Sequence, residues 1–151
     1  MPADRVELAY RAVHARLWRS LLVHTGDADI ASDAESEAFV QVIGRGDEVR
    51  DVEAWVWRSA FRIAGGMLDR RGRDRPLEPH HDLPADVDPA VVELIDLARG
   101  LSVQQRACVV LHYVAGLPAG DIAEVLATTP GTVRVQLHHA RGALRRALEA
   151  S

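Results

Sequence analysis

The sequence contains no lysine and no asparagine, and all 18 of its basic residues are arginines. GC-rich coding disfavours the codons of both missing residues, so the enrichment in arginine is not in itself evidence for binding to nucleic acid. The 22 acidic residues bring the formal net charge to −4. The total charge therefore indicates no polyanionic partner, and only the distribution of the arginines along the chain can do so.

Cysteine is nearly absent as well, since Cys108 is the only one in 151 residues. A single thiol excludes a disulfide framework and a zinc site built on paired cysteines, and it fits a reducing compartment. No apolar run approaches the ~18 residues of a membrane span. Asp4, Arg5 and Glu7 stand where a signal peptide needs an apolar core. We therefore expect a cytoplasmic protein without a membrane partner, and Cys108 is expected to be a core residue.

Three N-terminal segments repeat apolar residues at three- and four-residue spacing, and no segment alternates as a strand does. The first helix is expected from Asp4, the second from about Asp27 to a break at Gly44 and Gly46, and the third over residues 51–71. The inward positions are expected to be Val6, Tyr10, Val13, Leu17 and Leu21; Ile30, Ala34, Ala38 and Val42; and Val56, Ala60, Ile63 and Met67. The sequence thus predicts an all-α fold.

A proline-rich acidic stretch separates this part from the rest of the chain. Four of the seven prolines lie between Pro76 and Pro89, and residues 76–96 contain six acidic side chains and no arginine. Proline removes amide donors and biases the preceding residue away from the helix. Residues 76–90 are therefore predicted to be a linker between two small helical domains, residues 1–75 and 91–151.

The C-terminal part has the pattern of a helix-turn-helix. Ser102 is placed to cap a helix that ends at residues 116–118, and a short helix is expected over residues 119–126. Residues 127–129 form the turn, and Thr129 followed by Pro130 is a cap with proline at the first helical position. In such a unit the second helix enters the major groove of DNA.

The last helix concentrates positive charge in an otherwise acidic chain. Residues 129–151 contain four arginines and one glutamate, and the face opposite the expected core stripe carries histidine and arginine side chains. Phosphate contacts need such local charge, and base contacts need side chains near the start of the helix. The pattern alone fits a DNA-binding unit, and it also fits a helical hairpin with a solvated basic face.

Two stretches resemble extracytoplasmic-function (ECF) bacterial sigma factors in order and spacing. The C-terminal stretch resembles their region 4 through Leu101-Ser102, Gln105-Arg106, Val110-Leu111-His112-Tyr113, Gly116-Leu117-Pro118, Asp121-Ile122-Ala123, Leu126 and Gly131-Thr132-Val133-Arg134. The N-terminal stretch resembles region 2 through Thr25-Gly26-Asp27, Asp33, Glu37-Ala38-Phe39, Val49-Arg50-Asp51 and Glu53-Ala54-Trp55. The chain is identified as a member of this family over nearly its whole length.

The resemblance implies three sets of binding residues. In the family, region 2 binds the polymerase clamp, which implies Asp33, Ser36 and Glu37. Region 2 also captures the opened −10 element, which implies Trp55, Arg58, Arg62, Arg70, Arg71 and Arg73. Region 4 binds the −35 element as duplex, which implies Thr132, Arg134, Val135, His138, His139 and Arg141. The implied partners are core RNA polymerase, promoter DNA and an anti-sigma factor.

The implied function is a sigma factor that directs promoter-specific initiation, and it needs no catalytic residue, cofactor or metal. The chain departs from the family pattern at several positions, among them Glu35, where an apolar residue is common, and Ala127, where the turn usually has glycine. The acidic balance and these departures leave a second hypothesis, a sigma-like decoy or adaptor that binds an anti-sigma factor without promoter activity. A third hypothesis is a dimeric helix-turn-helix repressor.

Overall fold

The computed structural model describes residues 2–72 and 83–150. These residues form seven α-helices and no strand, which confirms the all-α prediction. The helices are α1 (Pro2–Thr25), α2 (Ala28–Arg45), α3 (Val52–Gly72), α4 (Pro89–Ala98), α5 (Val103–Val109), α6 (Ala119–Leu126) and α7 (Pro130–Ala150). A 3₁₀ turn (Gly46–Glu48) follows α2, and a π-helical segment (Val110–Val114) continues α5.

Helices α1, α2 and α3 pack against one another around the middle of α1. Val13, Leu17 and Leu21 of the predicted inward stripe have no exposed surface, and burying each such side chain contributes about 1.5–3 kcal/mol. Tyr10 differs from the prediction, because it is 41% exposed. Its ring stacks on His14 with 4.6 Å between the ring centroids, so it covers the side of the core without entering it.

The ends of α2 follow local rules. The Asp27 side chain accepts hydrogen bonds from the backbone N–H groups of Asp29 (2.9 Å) and Ile30 (3.1 Å), which satisfies two donors at the helix start. Of the two glycines expected to end the helix, only Gly46 does so. Its φ of +61° lies in the left-handed region that glycine adopts without strain, whereas α2 passes through Gly44.

Helix α4 was not expected, because the sequence around it was interpreted as part of the linker and the acidic run. It starts at Pro89, within the last residues of that predicted linker, and the Asp88 side chain accepts from the Ala90 N–H at 2.9 Å. Its buried residues are Val91, Ile95 and Ala98, and the helix packs on α1. Residues 73–82, which include residues 76–82 of the predicted linker, lie outside the described part of the chain.

Helices α5, α6 and α7 form the predicted helix-turn-helix unit. Ser102 and Gln105 bond each other's backbone N–H groups at 3.1 Å, so Ser102 caps α5 as expected. Helix α6 has the predicted bounds, and α7 starts at Pro130, where the Thr129 hydroxyl accepts from the Thr132 N–H at 3.1 Å. Cys108 is fully buried, as expected, and burial raises the pKa of its thiol to about 11.

The N-terminal and C-terminal helices share one hydrophobic core. The π-helical segment packs on α1 beside α4, and α6 packs on α3. Leu21 of α1, Ile95 of α4 and Ile122 of α6 belong to the same buried cluster. In this structure the two parts of the chain are therefore in direct contact.

The junction between the two parts is polar at its centre. Arg106 of α5 is only 4% exposed, and its guanidinium donates to the backbone carbonyls of His24 (2.8 Å) and Leu101 (3.1 Å). Burial, followed by the charge of Arg106, lowers the pKa of His24 to about 3, so this histidine is neutral. Its buried Nδ1 has no hydrogen-bond partner within the described residues.

Candidate nucleic-acid interface

Helix α7 buries one side and exposes the other. Val133, Leu137 and Ala140 face α5 and α6 and are buried, and Leu144 is half-buried. Side chains one position later repeat at the same three- and four-residue spacing, so they lie on a stripe beside the buried one. The packing of the helix-turn-helix unit thus fixes which side chains α7 presents outward.

The residues implied by the resemblance lie together on this outward side. The exposed members are Arg134, Val135, His138, His139 and Arg141, and Thr132 is half-buried at the start of the helix. The His138 and His139 rings lie 5.9 Å apart. Among the described residues, the main packing partners of α7 are α5, α6 and α4. The face is therefore open to a long ligand such as a duplex.

Two side-chain bridges to α5 and the π segment mark the edges of the exposed face. The Gln136 amide donates to Gln104 Oε1 at 3.4 Å on one edge. On the other edge the Arg141 Nε–H donates to Tyr113 Oη at 2.7 Å, and the guanidinium carbon lies 5.8 Å from the centroid of the Tyr113 ring. Sequence reasoning placed Tyr113 only in a motif and missed this contact, because it joins residues 28 positions apart.

The turn before α7 contains a strained residue. Ala127 has φ 55° and ψ 49°, the left-handed conformation that glycine adopts far more easily than alanine. The conformation allows the Thr128 N–H to donate to the Ala123 carbonyl at 2.9 Å and so closes the end of α6. Alanine in place of the family's usual glycine therefore keeps the geometry of the turn at a cost in stability.

The −10 residues implied by the resemblance are distributed over α3. Arg62 and Arg70 are exposed, and Arg58 and Trp55 are half-buried. The Arg45 guanidinium lies over the Trp55 ring at 5.8 Å. The neighbouring Trp57 and Phe61 are buried in the core, so they are not available to unpaired bases.

Arg71 has a structural partner. Its guanidinium donates to the Asp27 carboxylate at 2.6 Å and joins the end of α3 to the start of α2. A base or phosphate contact by Arg71 would have to compete with this ion pair. Arg73, the last residue of the implied −10 set, lies outside the described residues.

The implied polymerase-binding residues share an exposed side of α2. Asp33, Ser36 and Glu37 are all exposed, and Glu37 accepts a hydrogen bond from Gln41 at 3.1 Å. Sequence reasoning missed two apolar side chains on the same helix, Val40 and Ile43, which are 63% and 58% exposed. The surface therefore combines acidic and apolar groups.

Glu35, a departure from the family pattern, is buried beside this surface. It is 5% exposed, and His14 Nδ1 donates to its two carboxylate oxygens at 2.8 and 2.9 Å. Burial raises the pKa of Glu35, and the hydrogen bond and charge of His14 oppose that shift. The histidine thus supplies the partner that a carboxylate in an apolar position needs.

The described side chains form no candidate metal centre. Over residues 2–72 and 83–150, no group of three or more histidine, cysteine or acidic side chains could hold an ion. Within the same ranges, no helix combines the length and the apolar character that crossing a bilayer requires.

Comparison with known proteins gives matches over both parts of the chain. The family model for sigma-70 region 4 matches residues 92–144. The ECF RNA polymerase sigma factor SigL of Mycobacterium tuberculosis is 34% identical over an alignment 155 residues long, which covers 89% of this chain and 84% of SigL. The ECF RNA polymerase sigma factor BldN of Streptomyces coelicolor is 26% identical over 97% of this chain and 61% of its own length.

A solved structure has the same fold over both halves. The sigma factor RpoE, in its complex with the anti-sigma factor NepR from Bartonella quintana, matches with a TM-score of 0.73. The match covers 97% of this chain and 96% of RpoE at 17% sequence identity. At that identity the similarity establishes the fold.

Proposed function

The chain belongs to the ECF family of RNA polymerase sigma factors, which act in transcription initiation, and we propose that it binds core RNA polymerase and directs it to specific promoters. Residues 1–75 bind the polymerase clamp and the opened −10 element in this proposal. Residues 91–151 bind the −35 element as duplex, and residues 76–90 connect the two domains.

The exposed face of α7 is the observation that carries the proposal. Its inward stripe is buried by the helix-turn-helix unit, and its outward stripe presents the exposed side chains of Arg134, His138 and Arg141. A long, positively charged helix face that a compact unit holds outward is what binding in the major groove requires. The net charge of +3 over residues 129–151 supports phosphate contacts.

The polar junction supports a separation of the two halves on the polymerase. Interfaces between domains that move are more polar than the cores of single domains. Here the buried Arg106 donates only to backbone carbonyls, and the buried His24 Nδ1 has no partner within the described ranges. Opening the junction returns these polar groups to water, and it also exposes apolar residues that the two halves bury together, among them Leu21 and Ile122.

The remaining parts of the proposal follow from this role. The protein is a non-enzymatic subunit of the cytoplasm, where it meets polymerase and promoter DNA. An anti-sigma factor is a further proposed partner. This proposal is supported by the similarity of the fold to that of RpoE, whose structure was solved with an anti-sigma factor.

Reconstituted transcription tests the proposal. Purified core RNA polymerase is mixed with the full chain and a library of duplex promoter fragments, and the transcripts are sequenced to map their start sites. We expect transcripts from a subset of fragments that share sequence at the −10 and −35 positions. Absence of any association between the chain and the core polymerase would contradict the proposal.

Matched variants assign the polymerase contact to α2. Glu37→Arg is expected to weaken association with the core polymerase, because Glu37 lies on the exposed side of α2. Glu93→Arg makes the same charge change at an exposed position of α4 and serves as the control. If the chain binds an anti-sigma factor but neither polymerase nor promoter DNA, the decoy hypothesis replaces the sigma factor.

A further inference from the structure

The π-helical segment at the end of α5 holds a tyrosine against the recognition helix. The Ala115 N–H donates to the Val110 carbonyl at 3.0 Å, five residues back, which is the wide turn that defines this segment. Such turns occur often at functional sites. His112 Nδ1 donates to the Leu117 carbonyl at 3.1 Å, and the His112 and Tyr113 rings form a T-shaped contact with 4.7 Å between their centroids. The His112 ring therefore packs against Tyr113, although Tyr113 is 56% exposed.

The tyrosine orients an arginine of the exposed face. Arg141 Nε donates to Tyr113 Oη at 2.7 Å, and the same guanidinium lies 5.8 Å from the centre of the ring. An exposed arginine otherwise has many rotamers, and ordering it on binding costs free energy. The two contacts limit that freedom before any ligand arrives.

The remaining donors of the pair point to an anionic ligand. Tyr113 Oη accepts from Arg141, so its own proton is available to donate. Across the described ranges, neither this hydroxyl proton nor the terminal nitrogens of Arg141 have an acceptor. One hydroxyl donor beside a guanidinium matches the oxygens of a phosphate group.

The position of the pair on α7 favours backbone phosphate over a base. Arg141 lies at the edge of the exposed face, beside the buried stripe, and about three turns after the helix start. Side chains at the start and centre of the face, such as Arg134 and Val135, are the ones that reach base edges. We propose that Tyr113 and Arg141 form a phosphate contact, with Tyr113 as the positioning residue. This inference rests on the proposed function.

The test compares holoenzymes that contain the full chain. The probe is the duplex promoter fragment that gives the strongest transcript in the reconstitution, and its dissociation constant is measured over a series of salt concentrations. Arg141→Ala is expected to weaken binding about tenfold and to reduce the magnitude of the salt slope by about one. Tyr113→Phe is expected to weaken binding about three- to tenfold, because the ring stays and only the hydroxyl is lost.

A double-mutant cycle shows whether Tyr113 acts by positioning Arg141 or only through a contact of its own. Tyr113→Phe is expected to weaken binding clearly less in the Arg141→Ala background than in the wild type, because only the hydroxyl's own bond to the phosphate is then lost. Tyr10→Phe, at the other tyrosine of the chain and on α1, is the matched control and is expected to leave binding unchanged. As a second readout, the Arg141 Nε–H resonance in the free chain is expected to shift in Tyr113→Phe and to stay in place in Tyr10→Phe.

The outcomes distinguish this inference from the proposed function. If the wild-type holoenzyme binds no promoter fragment, the proposed function fails, and the phosphate role fails with it. If the wild type binds and the Tyr113 and Arg141 variants bind equally well, or their effects simply add, the inference is overturned and the function stands. The inference is also overturned if these variants lose association with the polymerase while the salt slope stays unchanged. That result would assign Tyr113 and Arg141 to a contact with protein.

Discussion

Helices α5 and α7 of the C-terminal half begin at caps made by residues next to them in the sequence, whereas the buried carboxylate of the N-terminal half finds its partner on another helix. Ser102 and Gln105 bond each other three residues apart, and so do Thr129 and Thr132. Glu35 is instead satisfied by His14, 21 residues away on another helix. Local signals thus define the helix-turn-helix, while the roles of residues in the three-helix unit depend on its packing.

Arg106 of the C-terminal half also finds a partner far away in the sequence, and its removal should lower the stability of the protein most. Arg106→Leu leaves the His24 and Leu101 carbonyls buried without donors, so the free energy of unfolding should fall by about 2–4 kcal/mol. Urea unfolding measures the loss, and tryptophan fluorescence follows the N-terminal half, which contains all three tryptophans. Arg145→Leu, an exposed site on α7, is the control. Equal stabilities of the two variants would show that Arg106 does not hold the halves together.

The two halves should also differ in the DNA that they bind. Arg134→Ala should weaken binding of duplex −35 DNA about tenfold and reduce the salt slope by about one. Arg62→Ala should instead weaken binding of the opened −10 strand, because Arg62 is exposed on α3. Filter binding of holoenzyme with duplex and with pre-opened fragments separates the effects. Arg11→Ala, which removes the same charge from α1, should change neither, and loss of polymerase association in Arg134→Ala would contradict the assignment.

A substitution in the turn before α7 should change the free energy of unfolding by a smaller amount. Ala127→Gly should raise the free energy of unfolding by about 0.5–1 kcal/mol, because Ala127 occupies the left-handed region at φ 55°. Thermal unfolding measures the gain. Ala143→Gly, in the middle of α7, is the control and should destabilise the protein by about 1 kcal/mol. A loss of stability in Ala127→Gly would show that the turn is not strained.

The buried carboxylate should make the N-terminal half sensitive to pH. Burial raises the pKa of Glu35 above its value in the unfolded chain. The folded state therefore takes up a proton more readily, and the contribution of Glu35 to stability decreases as pH rises from the unfolded pKa through the raised folded pKa. Glu35→Gln should remove this dependence, so its stability relative to the wild type should be more favourable at pH 8 than at pH 5. Urea unfolding at both pH values tests the difference, and Glu53→Gln, exposed on α3, should show none.

Sequence reasoning located the helix-turn-helix, the burial of Cys108 and the outward face of α7, because helical periodicity and caps are properties of neighbouring residues. It missed α4, since prolines and acidic residues suggested a linker although Asp88 and Pro89 also form a helix start. It also grouped Arg71 with the −10 residues, and only the fold shows its ion pair with Asp27. The division at residues 76–90 and the binding roles of individual residues stay predictions.

The sequence by itself determined the all-α fold, the bounds of α6 and the start of α7, because spacing and capping act over a few residues. The tertiary structure decided which polar groups are buried and what they contact. Arg106 meets the His24 carbonyl across 82 residues, Tyr113 orients Arg141 across 28, and Glu35 finds His14 across 21. Such pairs form only after distant helices pack, so no local pattern encodes them.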